Sequence, residues 1–354
     1  MKRSLSLFLP ALVLHSALVA ADFPAAWKTF SFTSLVAFGD SYTDESRLKY
    51  FEDHNGEAPP VGWVEPINNN TSSGGYIWPR LVANDTGVNL YNYAVNGAVC
   101  SNKITPRWYS TINADFPSTL EYSIPAYVAD SNHVTSDGEQ FLNIPPLETA
   151  YAVWLGGNDL GVGGFLDDAE IRGKTIPDYV ECIYQVFDKI YQNGGRFFVL
   201  MNSSPMQLAP LFATPENGGV GSDHYWIHKP KNITEVSYRM QEHMLMTNDV
   251  YKYKTPYELL IANRYPGAHF AIMDTNSLIT DMYHNADKYL NSPANVTGYL
   301  RHCGGNHHGC ENLPSNNNFF WWDELHPTQS IHAGIAEQFV AVVNGTSQYA
   351  TYWG

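Results

Sequence analysis

The sequence predicts one α/β domain, a parallel sheet of about five strands covered by helices on both faces. Three observations lead there. Short apolar runs rich in β-branched and aromatic residues recur through the 354 residues, with helical stretches between them. Neither an internal repeat nor a Pro/Ser-rich linker divides the chain. Three successive apolar runs end in turns of glycine and polar residues, where an open α/β sheet presents its ligand site.

Taken in order, the first 21 residues read as a signal peptide. Lys2 and Arg3 form a basic start, Leu5 to Val19 are mostly apolar, and Val19-Ala20-Ala21 supplies the small-residue cleavage pattern. Pro10, His15 and Ser16 break the run, which is too short to span a bilayer. Residues 22–354 are then a single secreted domain.

The first strand, Leu35–Phe38, runs into Gly39-Asp40-Ser41, a combination that ends a strand and opens a helix. On this segment alone Ser41 reads as a helix cap. The second strand, Leu90–Ala94, leads to Asn96-Gly97, and the third, Ala150–Leu155, to Gly156-Gly157-Asn158-Asp159. Phe197–Asn202 and His269–Asp274 are the fourth and fifth. Helical periodicity covers Tyr179–Gln192 and Glu235–Tyr251. A last helix over residues 328–343 carries Ile331, Ile335, Phe339 and Val342 on one face. The long connections 99–148 and 203–267 hold Trp108, Tyr109, Phe116, Tyr122, Tyr225 and Trp226, which either meet a ligand or pin the loops.

Composition narrows the function. Charged residues are only 16% of the chain and the formal charge is −15, so nucleic acid is an unfavourable partner. Removal of Lys2 and Arg3 with the leader takes the mature charge to −17. No second long apolar run follows, so no stable membrane association is expected, and a monomer is the default. Sequons at Asn69, Asn70, Asn84, Asn202, Asn232, Asn295 and Asn344 are glycosylation candidates consistent with export. Four cysteines suit an oxidising compartment. Cys303 and Cys310, close in sequence with glycines between them, are expected to pair, leaving Cys100 with Cys182.

Nucleophilic hydrolysis by a serine needs a base, a carboxylate that orients the base, and donors for the developing oxyanion. Asp323-Glu324-Leu325-His326-Pro327 supplies the first two, with Asp323 able to turn back on the His326 imidazole. An Asp-x-x-His pair alone is common and carries no catalytic meaning. Gly97 offers an N–H without a side chain in its way, and Asn158 an amide NH₂.

These blocks together resemble the GDSL, or SGNH, hydrolase family: Gly39-Asp40-Ser41, Gly97, Gly156-Gly157-Asn158-Asp159 and Asp323-Glu324-Leu325-His326, in that order and across nearly the whole mature chain. The resemblance implies a flavodoxin-like three-layer α/β/α sandwich, with Ser41 as nucleophile, His326 as base and Asp323 as its orienter. It implies an oxyanion hole of the Ser41 N–H, the Gly97 N–H and the Asn158 side chain, and no cofactor. Tyr42 departs from the family's namesake leucine and is expected to face the scaffold. Asp40, Trp321 and Trp322 are candidate substrate contacts. Within the family the chain looks like fungal carbohydrate esterase family 16, acetyl esterases acting on acetylated xylo-oligosaccharides, and the expected partner is an acetylated carbohydrate or another small ester.

Three other readings compete. Plant-type lipases and phospholipase-like relatives share the blocks and act on longer acyl chains. His302, Cys303, His307, His308 and Cys310 have the composition of a zinc site, although oxidation of the two thiols is the expected outcome, so no metal is assigned. A non-catalytic carbohydrate-binding protein using Trp321 and Trp322 would leave the serine, histidine and aspartate unexplained.

Overall fold

A computed structural model describes residues 25–304 and 309–354; the expected leader and the His307-His308 pair lie outside the described residues. Its central sheet has six strands: β1 (Ser34–Gly39), β2 (Asn89–Asn92), β3 (Thr149–Trp154), β4 (Phe197–Met201), β5 (His269–Met273) and β6 (Ala350–Trp353). They lie in the order β6-β5-β4-β3-β1-β2. The first five are parallel, as expected. The antiparallel edge strand β6 departs from the five-strand expectation. Four residues after a turn are too short to announce a strand, and their pairing with β5 is a tertiary event.

Every residue of β1 and β3 is buried, which is why both read as unbroken apolar runs without alternation. Helices cover both faces. α1 (Arg47–Asp53) follows the turn after β1; on one face lie α2 (Trp78–Thr86) and, after the sheet's fifth strand, α5 (Thr275–His284) and α6 (Gln329–Val343). On the other lie α3 (Ile176–Gln192) and α4 (Ile233–Pro256). The start of α3 is three residues earlier than periodicity indicated. Thr175 and Asp178 form a capping box there, and Pro177 sits in the first turn where its missing N–H costs nothing. Asn232 caps α4 by accepting from the Glu235 N–H.

The order places β1 between β2 and β3, so the chain reverses direction of winding around β1. The gap beyond the C-terminal ends of β1 and β3 is the switch point at which such sheets bind ligands. Disulfides join Cys100 to Cys182 and Cys303 to Cys310. The first ties the segment after β2 to α3. Among the sequons, Asn202 is buried, its amide N–H donating to Asp274 and its side-chain oxygen accepting from the Thr275 hydroxyl and the Asn276 N–H, so it is closed to glycan attachment in the folded protein.

Candidate active site

β1 ends at Gly39, where a Cβ would fall 2.6 Å from Thr43 Oγ1 and 2.8 Å from the Trp154 carbonyl of β3. Only glycine lets the chain leave the sheet so close to its neighbour. The following turn is a single helical turn, closed by the Thr43 and Asp44 N–H groups on the Asp40 carbonyl at 2.9 and 2.8 Å. No helix begins at Ser41, contrary to expectation; α1 starts six residues later. The Asp40 carboxylate takes the Tyr42 N–H at 3.1 Å and stiffens the turn.

The loop before α6 brings the second half of the site. Asp323 Oδ1 accepts the backbone N–H groups of Leu325 and His326 at 2.9 and 2.8 Å, folding the loop back on itself. That fold sets His326 Nδ1 at 2.9 and 3.0 Å from the two Asp323 oxygens and His326 Nε2 at 2.8 Å from Ser41 Oγ. All three side chains are buried. Burial pushes the Asp323 carboxyl up, but the His326 charge and the hydrogen bonds it receives outweigh this and hold it below its usual value.

The expected donors stand in the segments that follow β2 and β3. Gly97 has φ +80°, and the Phe116 ring occupies the space its Cβ would need. The Asn158 amide gives one hydrogen to the Ala98 carbonyl at 2.9 Å, leaving the other. Among the described residues neither the Ser41 nor the Gly97 N–H has an acceptor, although both residues are buried. Buried N–H groups without partners are rare in native proteins and ask for a reason.

Residues outside the recognised blocks hold this set together. Arg107 donates to the Gly97 carbonyl at 2.8 Å and, through the same nitrogen, to Asn158 Oδ1, while its guanidinium lies over Phe116. The Tyr225 hydroxyl donates to Asp323 Oδ2 at 2.9 Å. Tyr42 does not face away from the site: its hydroxyl donates to the Leu325 carbonyl at 2.7 Å and its ring lies 5.7 Å from that of His326. Arg107 sits in a long segment with no periodicity or motif, so no local signal marked it. Tyr225 was singled out for its aromaticity, and its hydroxyl proves to be the part in use.

Ser41, Asp40 and Asn158 open on a cavity of about 20 Å³, walled by Tyr42, Trp154, Met206 and Leu325. Asp40 is raised to about 6, mainly by burial, with the Tyr42 N–H, His326 and Arg107 pulling the other way. Trp321 is buried against the Val296 carbonyl and does not reach the cavity, which corrects its expected substrate role. Trp322 borders a separate cleft. Phe116 backs Gly97, Trp226 packs in the core near Phe212, and Trp108 is exposed. Cys303 and Cys310 are bonded to each other, and among the described residues no three His, Cys, Asp or Glu side chains converge on a point.

The chain matches known proteins in line with this geometry. Residues 35–339 fit the family described as GDSL-like Lipase/Acylhydrolase. An acetylesterase of Hypocrea jecorina is 39% identical over 96% of this chain and 99% of its own. A thermolabile hemolysin of Vibrio parahaemolyticus is 21% identical, covering 92% of this chain and 67% of the hemolysin. Among solved structures, an α/β hydrolase from the metagenome of Lake Arreo, Spain, aligns with TM-score 0.41 at 14% identity, over 90% of this chain and all of that one.

Proposed function

The chain belongs to the GDSL-like lipase/acylhydrolase family and is a carboxylic ester hydrolase, and from that premise we propose that it removes acetyl groups from carbohydrates through an acyl-enzyme on Ser41. The observation that carries the short-chain reading is the cavity on Ser41. Its roughly 20 Å³ is little more than the ~10–15 Å³ one water requires, enough for a methyl group and too small for an octanoyl tail. The fungal acetylesterase relative supports the same reading.

In this mechanism His326 Nε2 takes the Ser41 proton as Oγ attacks the ester carbonyl. The carbonyl electron pair moves onto oxygen, where the Ser41 and Gly97 N–H groups and the remaining Asn158 amide hydrogen receive it. Collapse expels the alcohol, which takes the proton back from His326. Water then repeats the sequence on acetyl-Ser41 and releases acetate. Asp323 keeps the imidazole in the tautomer that presents a bare Nε2 to the serine. The unspent N–H groups thus have a use.

A fluorophosphonate that inactivates the enzyme in a one-to-one ratio should be recovered on the Ser41 peptide. Label on another residue, or inactivation without label, contradicts the assignment. The same reading has residues 1–21 removed on export and residues 22–354 acting as one domain; a mature N-terminus beginning at Asp22 is the expected sequencing result.

A further inference from the structure

A second cavity, of about 460 Å³, is lined by chain neighbours of the site residues, and we propose that it binds the sugar portion of the ester, a neutral polyhydroxylated alcohol. This rests on the acetyl-ester reading above. The cleft is walled by chain neighbours of three of the site's blocks. Asn96 precedes Gly97, Trp322 precedes Asp323, and Asp44 follows Ser41 by three residues. The Asn96 N–H donates to Asp44 Oδ2 at 2.7 Å, so two of these walls are tied directly. In this proposal an ester whose carbonyl reaches the Gly97 N–H turns its alcohol side toward the cleft that Asn96 lines. The two volumes differ as the two halves of an acetylated sugar do: a methyl on one side, a ring or two on the other.

The lining favours hydroxyl groups. The Asn96 amide donates to Ser72 Oγ at 3.2 Å, leaving the Ser72 hydrogen and the Asn96 carbonyl for a ligand. Arg301 has no hydrogen-bonded acceptor or carboxylate partner for its guanidinium among the described residues; the group lies 5.7 Å over the Trp322 ring. Gly74, at φ +69°, sits so close behind that ring that a Cβ would fall 2.3 Å from it, which fixes the wall Arg301 rests on. Asp44, Glu45 and Glu52 line the cleft together with Lys49 and Arg301, so both signs of charge are present. Its volume lies within the roughly 300–1,000 Å³ of sites that enclose small molecules.

The test compares kcat/KM on monoacetylated xylobiose with kcat/KM on p-nitrophenyl acetate, for wild type, Arg301→Ala and Ser72→Phe. The first variant removes a donor and the second fills the cleft. The ratio of the two values should fall about tenfold in each, the size of one lost charged hydrogen bond, with the change in KM for the sugar ester. A ratio within about twofold of wild type in both variants overturns the assignment, including when both activities fall together. Wild-type turnover of p-nitrophenyl acetate with none of the sugar ester sinks the sugar site and leaves the esterase reading standing. Turnover of neither would sink both.

Discussion

Arg107 donates to the carbonyl of Gly97 at 2.8 Å, and the same nitrogen reaches the side chain of Asn158. One cation therefore joins the turns after β2 and β3, the two that carry the proposed outer oxyanion donors. Burial works against its charge, and Asp159 and Asp40 work in its favour. Arg107→Ala should lower kcat by about 10–10²-fold with little change in KM, below the ~10²–10³ for deletion of a donor itself. Arg107→Lys should recover part of the loss. An alanine variant with wild-type kcat would remove Arg107 from this positioning role.

Tyr225→Phe deletes the hydroxyl that donates to Asp323 Oδ2. Asp323 keeps its bonds to His326 and to two backbone N–H groups, so the side chain stays in place. The expected loss in kcat is about tenfold, equivalent to ~1.4 kcal/mol. A loss as large as that of Asp323→Ala would mean that the tyrosine does more than support the carboxylate.

The cavity on Ser41, the proposed acyl site, is closed in part by Met206, which is buried. Met206→Ala should shift preference from acetate toward butyrate by opening the floor. It should also destabilise the fold by about 2–5 kcal/mol, the usual cost of such a truncation. An unchanged acetate preference in a folded variant would show that another wall limits chain length.

Four buried or sealed carboxyls are raised chiefly by burial: Asp40 to about 6, Asp159 and Glu324 to about 7, and Glu65 to about 8. Between the ordinary carboxylate range and these values the folded state holds more protons than the unfolded one. Stability should therefore fall as pH rises from about 4 to 8. Asp323 acts oppositely, its depressed value costing stability only as pH falls below about 4. Calorimetry should give a higher Tm at pH 5 than at pH 8. Glu65→Gln, which keeps the bond from the Ser46 N–H, should flatten the slope. A Tm that rises over this range would contradict the sign.

The sheet was legible because β1 and β3, buried on both faces, are apolar through their centres, and the reactive blocks because Gly39, Gly97 and Gly156 stand at or just after the strand ends. Ser41 lies 285 positions from His326 and meets the local Asp323–His326 pair only at the switch point beside β1. The residues that brace them left no such trace. Arg107, Tyr42 and Tyr225 work through contacts across 10 to 283 positions, and nothing local distinguishes a tyrosine that holds a carbonyl from one that fills a core. Trp321 failed for the same reason: adjacency to Asp323 said nothing about which side of the loop it packs on. The edge strand β6 was invisible because its partner, β5, lies about 80 residues away.

The most direct test of the central assignment is initial rate on p-nitrophenyl acetate, butyrate, octanoate and palmitate, with wild type and Ser41→Ala side by side. A short acyl cavity on an activated Ser41 predicts turnover concentrated on acetate and lowered on the order of 10⁶-fold in the variant. Preference for octanoate or palmitate, or acetate turnover that survives loss of the Ser41 hydroxyl, would contradict it.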